Sequence, residues 1–198
     1  MIKIAILLSS PRVNGNTDIL LEKAFNGQKL KGLNIKKIIA NSLNIKPCQG
    51  CGRCHKKGIC VIRDDMAFVY KVLNESDIVL VGTPIYFGSV PAQLKVIIDR
   101  MQPLWARKHL LNYKDGRKRI GGLICVSSSN GKRYFDCVRK LINIFCIIQD
   151  IKFSRYLYAE KLEHKGDANK HKNILKKASN LGKLLIRDLR HERNKKSS

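Results

Sequence analysis

The chain opens with Ile2-Lys3-Ile4-Ala5-Ile6-Leu7-Leu8-Ser9-Ser10-Pro11, and this stretch decides the fold. It is almost continuously apolar up to Leu8 and then turns polar, which is typical of a strand buried on both faces of a parallel sheet. A helix is expected to follow, beginning near Thr17 or Asp18, because both are good N-cap residues, and ending before Gly27. A buried strand followed by a helix is the repeating unit of an α/β protein.

The rest of the chain repeats this unit, with one interruption. Further strands are predicted over residues 33–40, 77–84, 120–126 and 151–159. Further helices are predicted from a cap at residues 64–65 to about residue 74, and over residues 91–101, 132–148 and 169–189. A cysteine-rich loop at 44–65 interrupts the alternation after the second strand. The pattern predicts an α/β three-layer sandwich with a five-stranded parallel sheet and right-handed connections.

Length and composition restrict the class of protein. A chain of 198 residues that is 44% apolar can bury the core of one domain, which we expect to span residues 1–190, with a basic disordered tail at 191–198. The longest early apolar run, residues 4–8, is far shorter than the ~18 residues of a membrane span, and no signal-peptide cleavage pattern follows it. We therefore expect a cytoplasmic protein that does not associate with membranes.

The formal net charge of +24 favours anionic partners. Two interpretations remain open. The charge reflects a general lysine bias spread along the chain, or residues 107–119 and the C-terminal helix form a basic docking face for an acidic protein. A zinc-stabilised nucleic-acid binder is an alternative class, but the sequence lacks the aromatic and basic signature of an RNA-binding sheet, which argues against nucleic acid as a partner.

The loop after the first strand has the chemistry of a phosphate site. Ser10, Asn16 and Thr17 offer hydrogen-bond donors, and Gly15 permits a close backbone approach. The N-terminus of the following helix adds unpaired N–H groups and its positive dipole end. Neither of the two common glycine-rich nucleotide fingerprints is present. A purely structural polar loop is the alternative interpretation.

Two further loops reach the same edge of the predicted sheet. Residues 83–89 combine two aromatic side chains with Gly88 and small polar residues, which suits a flat heterocycle held by stacking and main-chain hydrogen bonds. Residues 127–131 follow the fourth strand at that edge. Because three loops meet at the carboxyl ends of parallel strands, the sequence predicts a mononucleotide site there.

Four of the seven cysteines crowd into one short segment, at Cys48, Cys51, Cys54 and Cys60. Without a secretory signal, this crowding indicates a reducing compartment and a metal site rather than disulfides. Four thiolates suit a zinc ion or a [4Fe-4S] cluster, and the successive two-residue spacings favour the cluster, with zinc and a metal-free patch as alternatives. The remaining cysteines, which are Cys125, Cys137 and Cys146, are expected to be ordinary buried residues. We assign no catalytic residue.

Several motifs together resemble a known family over about residues 2 to 130. They are Ser9-Ser10-Pro11-Arg12-x2-Gly15-Asn16-Thr17, the cysteine segment, Asp64-Asp65-Met66, Pro84-Ile85-Tyr86-Phe87-Gly88-Ser89 and Lys95-x3-Asp99-Arg100. In this order they are similar to the iron-sulfur flavoproteins of the NADPH-dependent FMN reductase superfamily. The resemblance implies a flavodoxin-like fold, with one FMN and one [4Fe-4S] cluster per subunit. It also implies a homodimer or homotetramer in which cluster and flavin of neighbouring subunits approach.

The resemblance also implies roles for individual residues. The FMN phosphate would be held by Ser10, Arg12, Asn16 and Thr17. The isoalloxazine would be held by Pro84, Ile85, Tyr86, Phe87, Gly88 and Ser89. The iron would be ligated by Cys48, Cys51, Cys54 and Cys60. The expected function is electron transport, in which electrons pass between ferredoxin or a similar acidic carrier, the cluster and FMN; a cluster-free NAD(P)H-dependent FMN or quinone reductase is the alternative.

Overall fold

The computed structural model describes residues 1–26 and 32–195, and a single parallel sheet runs through the centre of this part of the chain. Its strands are β1 (Ile2–Leu8), β2 (Leu33–Ile39), β3 (Ile78–Pro84), β4 (Ile120–Val126) and β5 (Lys152–Ala159). They lie in the order β2-β1-β3-β4-β5, and all four neighbouring pairs are parallel. This order is that of the flavodoxin-like folds, so the predicted fold class is confirmed.

Helices cover both faces of the sheet. They are α1 (Asn16–Phe25), α2 (Cys54–Lys57), α3 (Met66–Glu75), α4 (Ala92–Asp99), α5 (Gln102–His109), α6 (Lys132–Ile148) and α7 (Lys172–Asn194). Alternate residues of β1 point to opposite sides, so that Leu7 joins the core under α3, α4 and α6, whereas Ile6 joins the core under α1 and α7. Each core is filled by aliphatic side chains, and the result is the predicted three-layer sandwich.

The helix after β1 begins earlier than the sequence predicted. It starts at Asn16 with Gly15 at the N-cap position, rather than at Thr17 or Asp18. Asp18 does not cap the helix, because its carboxylate accepts the backbone N–H of Asn14 at 2.9 Å and pairs with Lys37 at 2.5 Å. The helix ends at Phe25 with Asn26 at the C-cap position, so the predicted end before Gly27 is confirmed.

The helix predicted over residues 91–101 is confirmed as α4, which ends two residues earlier than expected, and a further helix that was not predicted, α5, follows it. Helix α4 ends at Asp99, and α5 starts at Gln102 with Pro103 in its first turn, a position that proline favours. Helix α5 continues into residues that the sequence analysis treated only as a basic segment. It packs against the short helix α2 and so supports the cysteine loop.

The C-terminal helix differs from its prediction at both ends. Residues 167–170 form a separate 3-10 turn, so α7 starts at Lys172. Residues 191–194 are helical, which corrects the predicted disordered tail in this part; residues 196–198 lie outside the described ranges. Two ion pairs hold the last turn, Glu192 with Lys152 at 2.8 Å and Arg193 with Asp77 at 2.5 Å.

Helices α1 and α7 approach each other so closely that one contact has no room for a side chain. Gly182 of α7 faces the backbone of α1, where a Cβ atom at this position would overlap the carbonyl oxygen of Ala24. A glycine is therefore required in the middle of α7, although it is a poor helix former. The contact fixes α1, whose first residues reach the carboxyl edge of the sheet. No helix within residues 1–26 and 32–195 combines the length and apolar character needed to cross a membrane.

Candidate functional site

A cavity of about 290 Å³ opens at the carboxyl edge of the sheet, where β1, β3 and β4 end. Seven of the ten residues predicted to contact a flavin line it, namely Ser10, Arg12, Asn16, Thr17, Pro84, Ile85 and Tyr86. The structure therefore brings the first and second predicted loops together. Ser128 adds the third loop. Contact of these residues with a flavin stays a prediction.

One end of this cavity is formed by the first turn of α1. The backbone N–H groups that open a helix have no partner within it, so they are available to an anion. Thr17 lies in this turn, is 3% exposed and lines the cavity. The Ser10 hydroxyl oxygen accepts the backbone N–H of Arg12 at 3.2 Å, which leaves its hydrogen free to donate. This arrangement suits a phosphate group.

Asn16 contributes to this turn in a different way from the one predicted. Its side-chain amide donates to the carbonyl oxygens of Leu162 at 3.3 Å and His164 at 2.9 Å, and its oxygen accepts the N–H of Ala168 at 3.0 Å. The side chain therefore holds the loop after β5 against α1. What Asn16 offers to a ligand here is its backbone.

The loop after β5 is the part of the cavity that sequence reasoning missed. Leu162, Glu163 and Lys165 all line the cavity, and the backbone of Glu163 accepts a hydrogen bond from Arg12 at 3.4 Å. A signal was present in the sequence, because the carboxyl end of a fifth parallel strand reaches the same edge as the other four. Lys165 and Arg12 give this end of the cavity two cationic side chains, against the carboxylate of Glu163.

The second loop folds into a tight turn at its tip. Tyr86 and Ser89 exchange two backbone hydrogen bonds, at 2.9 and 3.0 Å. Phe87 and Gly88 have positive φ angles of 49° and 78°, a conformation that suits glycine and is uncommon for phenylalanine. Phe87 is fully exposed, and it lies with Gly88 and Ser89 beyond the residues that line the cavity. Within this loop, residues 84–86 line the cavity.

Thr17 provides a test of the phosphate end. We expect Thr17→Val to weaken FMN binding about tenfold or more, because a hydrogen bond to a charged group contributes roughly 1.5–3 kcal/mol and valine keeps the shape of threonine. Fluorescence quenching of FMN by apoprotein measures the affinity. Thr83→Val is the matched control, because the Thr83 hydroxyl bonds to the carbonyl of Pro84 and does not line the cavity. Equal affinities for the two variants would contradict the assignment.

A second cavity, of about 280 Å³, gathers the four clustered cysteines. Cys54 and Cys60 are half-buried, whereas Cys48 and Cys51 are exposed. Gly50 and Gly52 have φ angles of 62° and 67°, so glycine allows the loop to turn back around the cavity. In the described ranges, no three cysteine, histidine or carboxylate side chains converge on the position of a single metal ion.

The four thiols affect one another electrostatically. Partial burial raises the pKa of the Cys54 thiol, and thiolates at Cys60, Cys48 and Cys51 would raise it further. Four thiolates in one loop therefore repel each other unless a cationic group lies between them. This donor set fits an iron-sulfur cluster.

The base of the cysteine loop is closed by a buried ion pair. Arg100 and Asp64 are 1% and 5% exposed, and two hydrogen bonds join them, at 2.7 and 3.0 Å. Arg100 also donates to the carbonyl oxygen of Lys46 at 2.6 Å, on the other side of the loop. Although burial acts to raise it, the pKa of the Asp64 carboxyl lies below its ordinary value, because Arg100 and two backbone N–H groups donate to it. Asp65 also joins the two ends of the cysteine loop, because its carboxylate accepts the backbone N–H of Asn44 at 2.7 Å.

Helix α5 supports the other side of the cysteine loop. Arg107 donates from Nε to the carbonyl oxygen of Gly58 at 2.7 Å, and the Arg107 side chain fills the place that a Cβ of residue 58 would take. The ring of His55 lies 5.9 Å from that of Trp105. The loop is thus fixed against α5 and through the ion pair at its base.

The other three cysteines lie apart from this cavity. Cys125 and Cys146 are buried as predicted, and burial raises the pKa of each thiol to about 12. Cys137 is exposed, so the prediction of a buried residue was wrong there. It lies in the first half of α6, on a side of that helix that faces solvent.

The basic segment 107–119 is not one exposed face. Arg119 is 4% exposed and donates to the carbonyl oxygens of Ser76, Gln149 and Leu73, and burial lowers its pKa to about 10. Arg117 pairs with Asp115, and Lys108 pairs with Asp150. These side chains hold the ends of strands and helices together. Lys114, Arg117 and Lys118 of this segment are exposed. Other exposed basic residues lie in the cysteine loop, at Arg53, Lys56 and Lys57.

The sheet has the flavodoxin-like strand order, and the cavity at its carboxyl edge is suited to a phosphate group. These two features place the protein among the flavodoxin-like α/β proteins. The family model described as NADPH-dependent FMN reductase matches residues 2–162. An iron-sulfur flavoprotein of Methanocaldococcus jannaschii is 33% identical over 145 residues, which is 73% of this chain and 72% of the relative. The chain therefore belongs to the NADPH-dependent FMN reductase family and, within it, to the iron-sulfur flavoproteins, which confirms the resemblance.

A further relative is similar over a shorter stretch, and two solved structures share the fold. An iron-sulfur flavoprotein of Archaeoglobus fulgidus is 38% identical over 126 residues, 64% of this chain and 54% of the relative. An NAD(P)H:quinone oxidoreductase from Methanothermobacter marburgensis shares the fold, with a TM-score of 0.68 at 14% identity, over 91% of this chain and 94% of the other. An FMN-dependent NADH-azoreductase from Bacillus anthracis does so with a TM-score of 0.64 at 13% identity, over 93% and 99%.

Proposed function

We propose that this protein is an electron-transfer flavoprotein that holds FMN in the cavity at the sheet edge and a [4Fe-4S] cluster on Cys48, Cys51, Cys54 and Cys60. The observation that carries the proposal is that all four cysteines line one cavity. When bound, a flavin and a cluster together couple two-electron to one-electron transfer. The chain's own residues would bind the two groups and set their surroundings.

The cysteine loop supports a cluster rather than zinc. The three cysteines at successive two-residue spacings are typical of loops that wind around a cubane, whereas structural zinc sites usually pair two separated knuckles. The thiols surround a cavity of about 280 Å³ instead of converging on one point, which suits a group of several atoms. The buried pair at the base of the loop holds this arrangement open.

The sheet-edge cavity supports FMN rather than a dinucleotide. It has one helix N-terminus and no pyrophosphate fingerprint, so it suits a single terminal phosphate. Tyr86, Ile85 and Pro84 give the cavity an apolar and aromatic side for the ring. FAD released on denaturation would contradict this part of the proposal.

The two cavities have no lining residue in common within the described part of the chain. We therefore extend the proposal to a homodimer or homotetramer, in which the cysteine site of one subunit approaches the flavin of another. The exposure of Cys48 and Cys51 supports this, because a neighbouring subunit can cover the thiols that this chain leaves open.

Anaerobic purification with metal, sulfide and flavin analysis tests the proposal. We expect about four irons and four sulfides per chain, as in a cubane, together with FMN. One zinc per chain without sulfide would contradict the cluster. Protein without iron and sulfide that oxidises NADPH through FMN would identify a cluster-free reductase instead.

The exposed charge around the cysteines suggests an acidic one-electron carrier such as a ferredoxin as the partner. Arg53, Lys56 and Lys57 are exposed within the loop, and none has an ion-pair partner among the described residues. Complementary charge mainly raises the rate of encounter. A carrier that docks here would approach the cluster directly.

Salt dependence and charge reversal test this partner. We expect reduction by a ferredoxin to slow between low salt and ~0.15 M, where the Debye length falls to ~8 Å. Reversing Arg53, Lys56 and Lys57 to Glu should slow it further at low salt, in protein with unchanged iron content. The matched control reverses three exposed lysines of α7, Lys172, Lys176 and Lys177, on the opposite face of the sheet. If the rate of reduction by ferredoxin changes neither with salt nor in the variant with Arg53, Lys56 and Lys57 reversed, a general lysine bias becomes the better explanation of the net charge.

A further inference from the structure

Arg100 has one hydrogen-bond donor that the protein leaves unused. Its Nη1 donates to Asp64 and to the carbonyl oxygen of Lys46, and its Nη2 donates to Asp64. Its Nε is buried and has no hydrogen-bond partner within the described ranges. The side chain is 1% exposed, so bulk water does not satisfy this donor either.

The residue that carries this unused donor lies at the cysteine cavity. Arg100 is one of the residues that line it, together with the four cysteines. In the described ranges, Asp18 Oδ1 and Arg139 Nε are also buried without a hydrogen bond, but each lies in an ion pair. Neither residue lines this cavity. A buried donor without a partner is costly, so it calls for a physical explanation.

We propose that Arg100 is a positioning residue whose Nε–H is reserved for a sulfur atom at the cysteine site, and that this hydrogen bond raises the reduction potential of the bound cluster. The inference rests on the proposed cluster. Reduction adds negative charge, and a donor to sulfur stabilises the more negative state. The three bonds to Asp64 and Lys46 fix the plane of the guanidinium, so Nε–H keeps one direction without rearrangement.

The chemistry requires arginine at this position. Lysine can replace the charge beside Asp64, but its single ammonium group cannot both pair with that carboxylate and donate from the Nε position. Asp64 neutralises the positive charge of Arg100. The effect of Arg100 on the cluster would therefore come from its directed N–H, which no other cation nearby would supply in the same way. The same pair closes the loop, which couples the position of the cysteines to the position of the donor.

Redox titration of the cluster, followed by EPR, tests the inference. We expect Arg100→Lys to retain wild-type iron, sulfide and FMN and to shift the midpoint potential of the cluster to a more negative value. Arg119→Lys is the matched control, because Arg119 is also buried and bonded to backbone carbonyls but lies away from the four cysteines. It should lower the melting temperature and leave the potential unchanged. An Arg100→Lys protein with full iron and the wild-type potential overturns the inference.

A second measurement needs no change at Arg100, in case that variant does not hold iron. Protein labelled with ¹⁵N-arginine, and carrying lysine at Arg53, Arg63 and Arg107, is reduced and studied by pulsed EPR. We expect a hyperfine coupling from ¹⁵N to the cluster, and its absence overturns the inference. The proposed function fails separately, if wild-type protein contains no iron and sulfide at all.

Discussion

Replacing any one of Cys48, Cys51, Cys54 and Cys60 by alanine should remove most of the iron and leave FMN bound. Each cysteine lines the same cavity, and a cubane held by four thiolates loses a quarter of its protein ligands in each variant. FMN should stay, because no residue of the flavin cavity lines the cysteine cavity. Iron, sulfide and flavin analysis of anaerobically purified variants measures the effect. Cys137→Ala is the control, because Cys137 is exposed and lies outside the loop.

Besides the four cysteines, His55 also lines the cavity and is of a type that can bind a metal. His55 is within the loop, but its ring lies against Trp105 of α5. In the described ranges, no group of three potential ligands forms a ready single-ion site either. A variant that keeps the full iron content would therefore exclude the altered residue from the ligand set, and four such variants would refute the cluster assignment.

Gly182→Ala should unfold the protein at a much lower denaturant concentration than wild type, with a loss of about 3 kcal/mol or more in the free energy of unfolding. A Cβ at this position overlaps the Ala24 carbonyl oxygen, which is backbone and cannot rotate away. In an exposed helix the same substitution gains up to ~1 kcal/mol from helix propensity, whereas overpacking a core costs ~1–3 kcal/mol and sometimes more. Because the overlap is with backbone, we expect the steric cost to exceed the gain in helix propensity.

Urea unfolding of the apoprotein measures this effect. Asn180→Ala is the control on the same helix, because Asn180 is exposed and its replacement gains helix propensity without a clash. Since α7 packs on α1, a displaced α7 also moves the helix that carries Thr17, so FMN affinity should fall in Gly182→Ala. A Gly182→Ala protein as stable as Asn180→Ala would show that the two helices can separate at no cost.

The fold was predictable because its signals are local. The apolar run of β1 is buried on both faces, and such runs are easily recognised as parallel strands. Helix α5 was not predicted, because Pro103 fits the first turn of a new helix as well as the end of an old one. The extra helical turns at the C-terminus depend on ion pairs such as Arg193 with Asp77, which are distant in sequence.

The same distinction applies to the candidate site. The cysteine spacing and the first loop could be identified within short windows of sequence. The role of the Asn16 side chain could not, because its partners are more than 140 residues away, at Leu162 and His164. The buried pair of Arg100 and Asp64 joins positions 36 residues apart, and no local pattern reports which of a chain's many arginines is buried.

The chain enters and leaves the cysteine loop at nearly the same point. Asn44 and Asp65 are bonded to each other there, at 2.7 Å and 3.4 Å, and Arg100 spans Lys46 and Asp64 just beyond. A segment whose two ends meet is modular, since a short turn can replace it without moving β2 or α3. Such an insertion can be gained or lost in evolution while the sheet and the flavin cavity persist. Loss of the loop would also remove Asp64 and leave Arg100 as a buried cation without its carboxylate partner. A lineage that loses the loop would therefore also have to replace Arg100.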